Sequence, residues 1–272
     1  PYLDGWAPAD VISLGIVPRR SDGSFVLHPG AYRSEVQSYC LHAGTHGPGS
    51  GDGYLYAPLA GSKAQVVEAI LRNSAAQPDV PQRDIQVLLW SIIAQTKWRD
   101  MGPELHRTAR RLLNDDQLDE LQDHGLDLLP EAVRQEAMRR LPPIAREVFL
   151  AEARLRSALA SGSATYGELE RIAVLAGSPP AGEGDRVVPG GRWSYHPEGY
   201  FIRYDPHGYS HTTVEISVPG PVAIERNAAG RIAAIEEWRG RRLEVGYAGE
   251  GPTPSEVRLI TPADTAGRSI PV

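Results

Sequence analysis

The sequence predicts an α+β protein in two parts: a helix-rich portion over residues 1–178 and a small antiparallel all-β portion over residues 185–272. Three observations predict it. Between Ser62 and Gly177 the apolar residues recur at helical spacing. From Gly199 onward they alternate, in short runs separated by turn signals. Between the two lies "SPPAGEGDRVVPGG" (Ser178–Gly191), a glycine- and proline-rich break in composition.

The elements follow in order. Residues 1–60 are rich in glycine, proline and tyrosine and read as loops with short strands. "SFVLHPG" (Ser24–Gly30) and "EVQSYCL" (Glu35–Leu41) alternate well enough for two of these strands. "SKAQVVEAILRN" (Ser62–Asn73) is the first helix, with Val66 and Ile70 on one face and Val67 and Leu71 beside it. The second starts near Asp79, an N-cap with Pro81 in the first turn and Gln82 at capping-box spacing, and runs to about Lys97. Ile85, Leu88, Leu89, Ile92 and Ile93 cover more than half of its circumference, so it is expected to be central and buried. Gln86 falls inside that apolar arc, and a buried amide needs a partner.

Further scaffold helices are expected from Met101 to Gly177. Asn114 caps "DDQLDELQDHG", which stops at Gly125. "PEAVRQEAMRRL" and "PPIAREVFLAEARLRSALA" each open on proline, and Thr165 with Glu168 forms a capping box for "YGELERIAVLAG". Their charged residues read as solvated faces. Beyond the break come "GYFIRYD", "TTVEISV", "VAIERN", "RIAAIEEW", "RRLEVGYA" and "EVRLI", with "RNAAGR" as a hairpin turn. Their regular spacing predicts a meander or a small barrel-like sandwich.

Composition narrows the function. At 272 residues, 41% hydrophobic and 23% charged, the chain reads as an ordinary globular protein. A net charge of −6 argues against a nucleic-acid partner, which would call for a basic stripe. No apolar run approaches the length of a membrane span, so no membrane insertion is expected. A single cysteine excludes internal disulfides and multi-cysteine zinc sites. Lys63 and Lys97 are the only lysines. That scarcity fits a GC-rich genome, and it also fits a protein that carries an amine-reactive group.

The cysteine lies in "QSYCLHAGTHGPGSGDGYLY" (Gln37–Tyr56), with His42, His46 and glycines at 44, 47, 49, 51 and 53. A thiol held against a carboxamide in a dry, pre-organised pocket can attack the amide carbon and expel ammonia, leaving an internal thioester. An amide is a poor electrophile, so this chemistry needs proximity and oxyanion stabilisation. Cys40 on a strand and Gln86 on a buried helix would supply rigid positioning. The 47–53 backbone, at Gly49, Gly51 and Gly53, would supply N–H donors, and His42 or His46 would shuttle the proton.

The motifs "YCL" (39–41) and "IQVLLW" (85–90), with a Gly/Pro loop, Tyr54 and Tyr56, and a helix ending "AILRN" between them, resemble the bacterial thioester domains (TQXA-type) of surface adhesins. The resemblance covers about Tyr32 to Lys97. It implies a thioester-like fold for residues 1–178, with the helical bundle appended to it. It implies a Cys40–Gln86 thioester with Tyr39 and Trp90 packed around it, and Gly49, Gly51, Gly53 and Tyr54 nearby. It further implies an extracellular or cell-surface protein, its leader removed, that attaches covalently and once to a partner. That partner would be a protein or surface polymer bearing amine or hydroxyl nucleophiles. No cofactor is implied, and the protein would be a single-turnover binder rather than a turnover enzyme. Ile85 stands where the family has threonine. No lysine follows Lys97, so the lysine cross-links of related β domains are impossible here and packing alone holds the β portion.

Other readings compete. Cys40 could serve a hydrolase or transferase with a histidine base. Cys40, His42 and His46, or His207 and His211, could ligate a metal, although neither set has helical context. "GPGSGDG" could cradle phosphate, but no Lys-Ser/Thr follows it. Trp193, Trp238, Tyr200, Tyr204 and Tyr209 could line a carbohydrate face. The plainest alternative is a non-catalytic secreted binding or assembly module, with Cys40 as filler and Gln86 bonded to backbone.

Overall fold

The chain is a mixed α+β structure in which one sheet gathers strands from the first forty residues and from residues 194–218. The computed structural model describes residues 4–49, 51–122, 143–175, 188–237, 240–251, 254–260 and 268–270. Its strands are β1 (Val11–Ser13), β2 (Gly30–Gln37), β3 (Thr45–His46), β4 (Val174–Leu175), β5 (Ser194–His196), β6 (Tyr200–Pro206) and β7 (His211–Val218). They continue as β8 (Val222–Arg226), β9 (Ile232–Glu237), β10 (Arg242–Gly246), β11 (Glu256–Ile260) and β12 (Arg268–Ile270). Its helices are α1 (Ala64–Ser74), α2 (Gln82–Ile93), α3 (Pro103–Leu112), α4 (Asp115–Gln122), α5 (Pro143–Ser161) and α6 (Tyr166–Ala173).

Helix α2 is the centre of the helical portion. Ile85, Leu88, Leu89, Trp90 and Ile92 are all buried in one cluster with residues of α1, α3, α4, α5 and α6. The helix is shorter at both ends than its periodicity predicts. Asp79 does not cap it, because its carboxylate pairs with Arg111 at 2.6 Å. Pro81 stays extended, so the first helical residue is Gln82. At the other end Gln95 takes φ 54°, a left-handed conformation that stops the helix short of Lys97. The caps of α4 and α6 are as expected. Asn114 and Gln117 exchange side chain–backbone bonds of 2.9 and 3.0 Å, and the Glu168 carboxylate accepts from the Thr165 N–H and hydroxyl. The expected stop at Gly125 and the helix expected over 130–141 lie outside the described residues.

The first sheet has the order β1-β2-β7-β6-β5, with β1 parallel to β2 and the other pairs antiparallel. Its central ladder joins Gly30–Gln37 to His211–Val218. The sheet therefore spans the boundary expected at 178–185, which itself lies outside the described residues. Strands β8–β12 form a separate antiparallel sheet in the order β12-β11-β10-β9-β8. Its turn at Asn227 is closed by that side chain, which accepts from the N–H groups of Ala229 and Arg231. The self-contained sheet thus begins at Val222 rather than near 185.

Two N-terminal expectations are corrected. Ser24–Gly30 is not a strand of its own; Phe25 bridges to Arg19, and Gly30 is already the first residue of β2. Strand β2 ends at Gln37, so Cys40 lies just beyond the sheet rather than within a strand. Helix α2 accounts for the break. The Gln82 side chain donates to the carbonyls of Ser38 (3.1 Å) and Ser210 (2.7 Å). Those carbonyls flank the end of the β2–β7 ladder, and the chain turns from sheet to helix there.

At the middle of this sheet Glu215, 5% exposed, lies opposite both Arg33 and Arg203 and accepts from each guanidinium. Burial pushes the Glu215 carboxyl up, but the bonds from Arg203 and Arg33 outweigh it and hold the group below its ordinary value. A lowered folded value contributes stability above the ordinary glutamate range, and that stability is lost as pH falls through the folded value. Arg203→Met should therefore cost about 1–3 kcal/mol at neutral pH, less than a fully buried pair because Arg33 remains. It should also flatten the loss of stability below about pH 4. Thermal unfolding followed from pH 7 to pH 3 checks both expectations, and an unchanged acid limb would exclude the ion trio as its source.

Candidate functional site

The ladder, helix α2 and helix α6 meet at Cys40. Gln86, one turn into α2 and 2% exposed, turns its carboxamide onto the Cys40 backbone. The Cys40 N–H donates to Gln86 Oε1 at 2.8 Å, and Gln86 Nε2 donates to the Cys40 carbonyl at 2.9 Å. This two-point clasp fixes both the position and the rotation of the amide beside the cysteine. The Cys40 thiol donates to the His42 carbonyl at 2.8 Å.

Trp90 lies one turn beyond Gln86 on the same helix and is fully buried. Its Nε1–H has no hydrogen-bond partner among the described residues. A buried donor without an acceptor costs free energy, and this one faces the Cys40 sulfur. Burial pushes the Cys40 thiol up, while the His42 contact and the Trp90 N–H pull it down by less. The thiol is therefore protonated at neutral pH and is not a ready-made thiolate nucleophile.

The clasp also defines the electrostatics of attack on the amide. Oε1 is the atom that becomes the oxyanion when the carboxamide carbon is attacked, and it already accepts the Cys40 N–H. Two of the expected glycine-loop donors, Gly49 and Gly53, are directed elsewhere. The Gly49 N–H bonds Asp52 at 2.7 Å, and the Gly53 N–H bonds the Val188 carbonyl at 2.8 Å. The Gly51 carbonyl accepts from Gly190 at 2.7 Å. A Cβ on Gly53 would lie 2.3 Å from the Pro189 carbonyl oxygen. Glycine is needed there for close passage of two backbones, not for an anion.

The remaining sequence-derived residues divide. Tyr39 packs against the helical core and donates to Gln37 at 3.0 Å. Tyr54 bridges to Tyr204, and burial above all raises its phenol. His42 is exposed and contributes its carbonyl to the thiol. His46 sits in β3, paired with Leu175 of β4. His207 and His211 bond Thr213 and Glu35, each at 2.9 Å. Among the described residues no group of three or more His, Cys, Asp or Glu is arranged to hold a metal. Trp193 packs on Trp6 and under Arg203, Tyr200 stacks on His196, and Trp238 lies outside the described residues.

Sequence reasoning missed the other wall of the site. A pocket of about 390 Å³ opens on Gln86 and is lined by Pro81, Gln82, Arg83, Tyr166, Tyr209 and Ser210. Tyr166 packs on Trp90 with ring centroids 5.7 Å apart. Its hydroxyl lies 2.9 Å from that of Tyr209, which donates to Glu170. One signal was present in the sequence: Tyr166 and Glu170 stand four apart on a helix and so share a face.

Comparison of the chain with family models, with curated proteins and with solved structures found no match.

Proposed function

We propose that the protein is a single-turnover covalent binder whose Cys40 and Gln86 form an internal thioester. The clasp of Gln86 on the Cys40 backbone carries this reading. In the loading step Cys40 Sγ attacks Gln86 Cδ, and negative charge gathers on Oε1 under the Cys40 N–H. The C–N bond then breaks, and ammonia leaves with the thiol proton. In the attachment step an amine on a target protein or surface polymer attacks the same carbon. A new amide forms, the C–S bond breaks, and Cys40 recovers its proton. Such chemistry suits a protein acting outside the cell or at its surface, and a hydroxyl nucleophile would give an ester by the same route.

A second reading rests on the same two bonds. They also satisfy a buried carboxamide with no chemistry at all, as in a non-catalytic binding or assembly module. Intact mass separates the two. The thioester reading expects the non-reduced protein to weigh one ammonia less than its sequence and to gain one methylamine on incubation. The full sequence mass, with a titratable thiol and no adduct, would leave the binding module.

A further inference from the structure

The pocket beside Gln86 and the hydroxyl chain in its wall have no role in loading the bond. We infer that this pocket is the entry site for the attacking amine and that Tyr166, Tyr209 and Glu170 form a relay that removes the amine's proton. The inference rests on the thioester reading.

The direction of the relay follows from counting protons. A tyrosine hydroxyl has one hydrogen to donate. Tyr209 gives its hydrogen to the Glu170 carboxylate, so the 2.9 Å bond between the two phenols must be donated by Tyr166. The chain therefore runs Tyr166 to Tyr209 to Glu170, with the carboxylate at its far end as the acceptor. A lone pair on the Tyr166 oxygen is left for a donor in the pocket. Tyr166, Tyr209 and Gln86 line one cavity, so a nucleophile seated there would lie beside both the Gln86 side chain and a phenol. Burial above all raises both phenols, so they pass a proton along rather than hold a charge.

The proton balance is complete. As the amine nitrogen bonds Gln86 Cδ, one N–H proton passes to the Tyr166 oxygen. The Tyr166 proton moves to Tyr209, and the Tyr209 proton moves to Glu170. The C–S bond breaks to a Cys40 thiolate, which is then protonated at the expense of Glu170. No other reactant is needed.

The test uses Tyr209→Phe and Glu170→Gln in the full chain, with methylamine as the probe, intact mass as the readout and inorganic phosphate as an added, non-nucleophilic base. With ammonia still lost from both variants, methylamine incorporation at a fixed concentration of free amine should slow by about 100-fold, the scale of one general acid–base contribution. Raising the phosphate concentration should restore part of the rate to each variant and leave the parent's rate unchanged, because phosphate then accepts the proton that the relay no longer carries. Slowing that phosphate does not relieve would mean that the residues only shape the wall, and would overturn the relay. Unchanged methylamine rates would overturn it too. Variants that fail to lose ammonia, beside a parent that does, would move these groups to the loading step and overturn the relay as stated. A parent at full sequence mass would take down the thioester itself.

Discussion

The Gln86→Ala protein is expected to carry its full sequence mass, to form no methylamine adduct, and to unfold about 2–5 kcal/mol more easily than its parent. All three effects have one origin. On the thioester reading the carboxamide is the electrophile, and among the described residues it is the only partner of the Cys40 N–H, so its removal ends the chemistry and strands part-buried backbone groups. Two further variants divide the effect. Gln86→Glu keeps the volume and one acceptor oxygen but has no ammonia to lose, so adduct formation should vanish while part of the stability returns. Cys40→Ala keeps the clasp, which uses only backbone atoms of residue 40, so adduct formation should vanish with a stability change of about 1 kcal/mol. Intact mass after methylamine, with urea titrations alongside, measures both quantities. An adduct that survives in any of the three would eliminate the Cys40–Gln86 bond.

The second large effect is expected at Trp90. Its buried N–H has no other partner among the described residues and is directed at the Cys40 sulfur, which on the thioester reading leaves as a thiolate during attachment. A donor that meets a neutral sulfur at rest and holds it more strongly as charge develops favours the transition state over the ground state. Trp90→Phe should slow methylamine incorporation by about 10- to 100-fold. Stability should change little, because the loss of packing is partly offset by removal of an unsatisfied donor. The rate of thiol release on methylamine addition gives the first value and the thermal midpoint gives the second. An unaltered rate with a large fall in midpoint would reduce Trp90 to a core residue.

The sequence made the pair of central residues visible and concealed most of what surrounds them. Gln86 stands out because a polar side chain interrupts an apolar arc, and the structure buries it. Cys40 stands out because it is the only cysteine. The donor to Gln86 Oε1, which the thioester reading makes the oxyanion donor, was not legible, because it is a main-chain N–H and residue type does not record where a main-chain group points. The glycine run misled for a related reason. Glycines at 49–53 look like an anion cradle, yet they serve a close pass against residues 188–190 that only the tertiary structure reveals. Tyr209 and Ser210 reach the site through the pairing of β2 with β7, a long-range register that local periodicity does not specify. The strands β6 to β11 were legible because each alternates over its own length, but the assignment of β6 and β7 to the N-terminal sheet was not.

The Gln37–His211 rung closes beside Cys40. A ribosome must therefore have made the chain through His211 before this side of the cysteine's surroundings can close. Contacts this distant in sequence carry a high loop-closure cost. Before the rung closes, the proposed thioester chemistry has no completed site, and residues 40 and 86 remain an ordinary thiol and an ordinary amide. On the proposed reading, the molecule becomes chemically armed only on completing its fold.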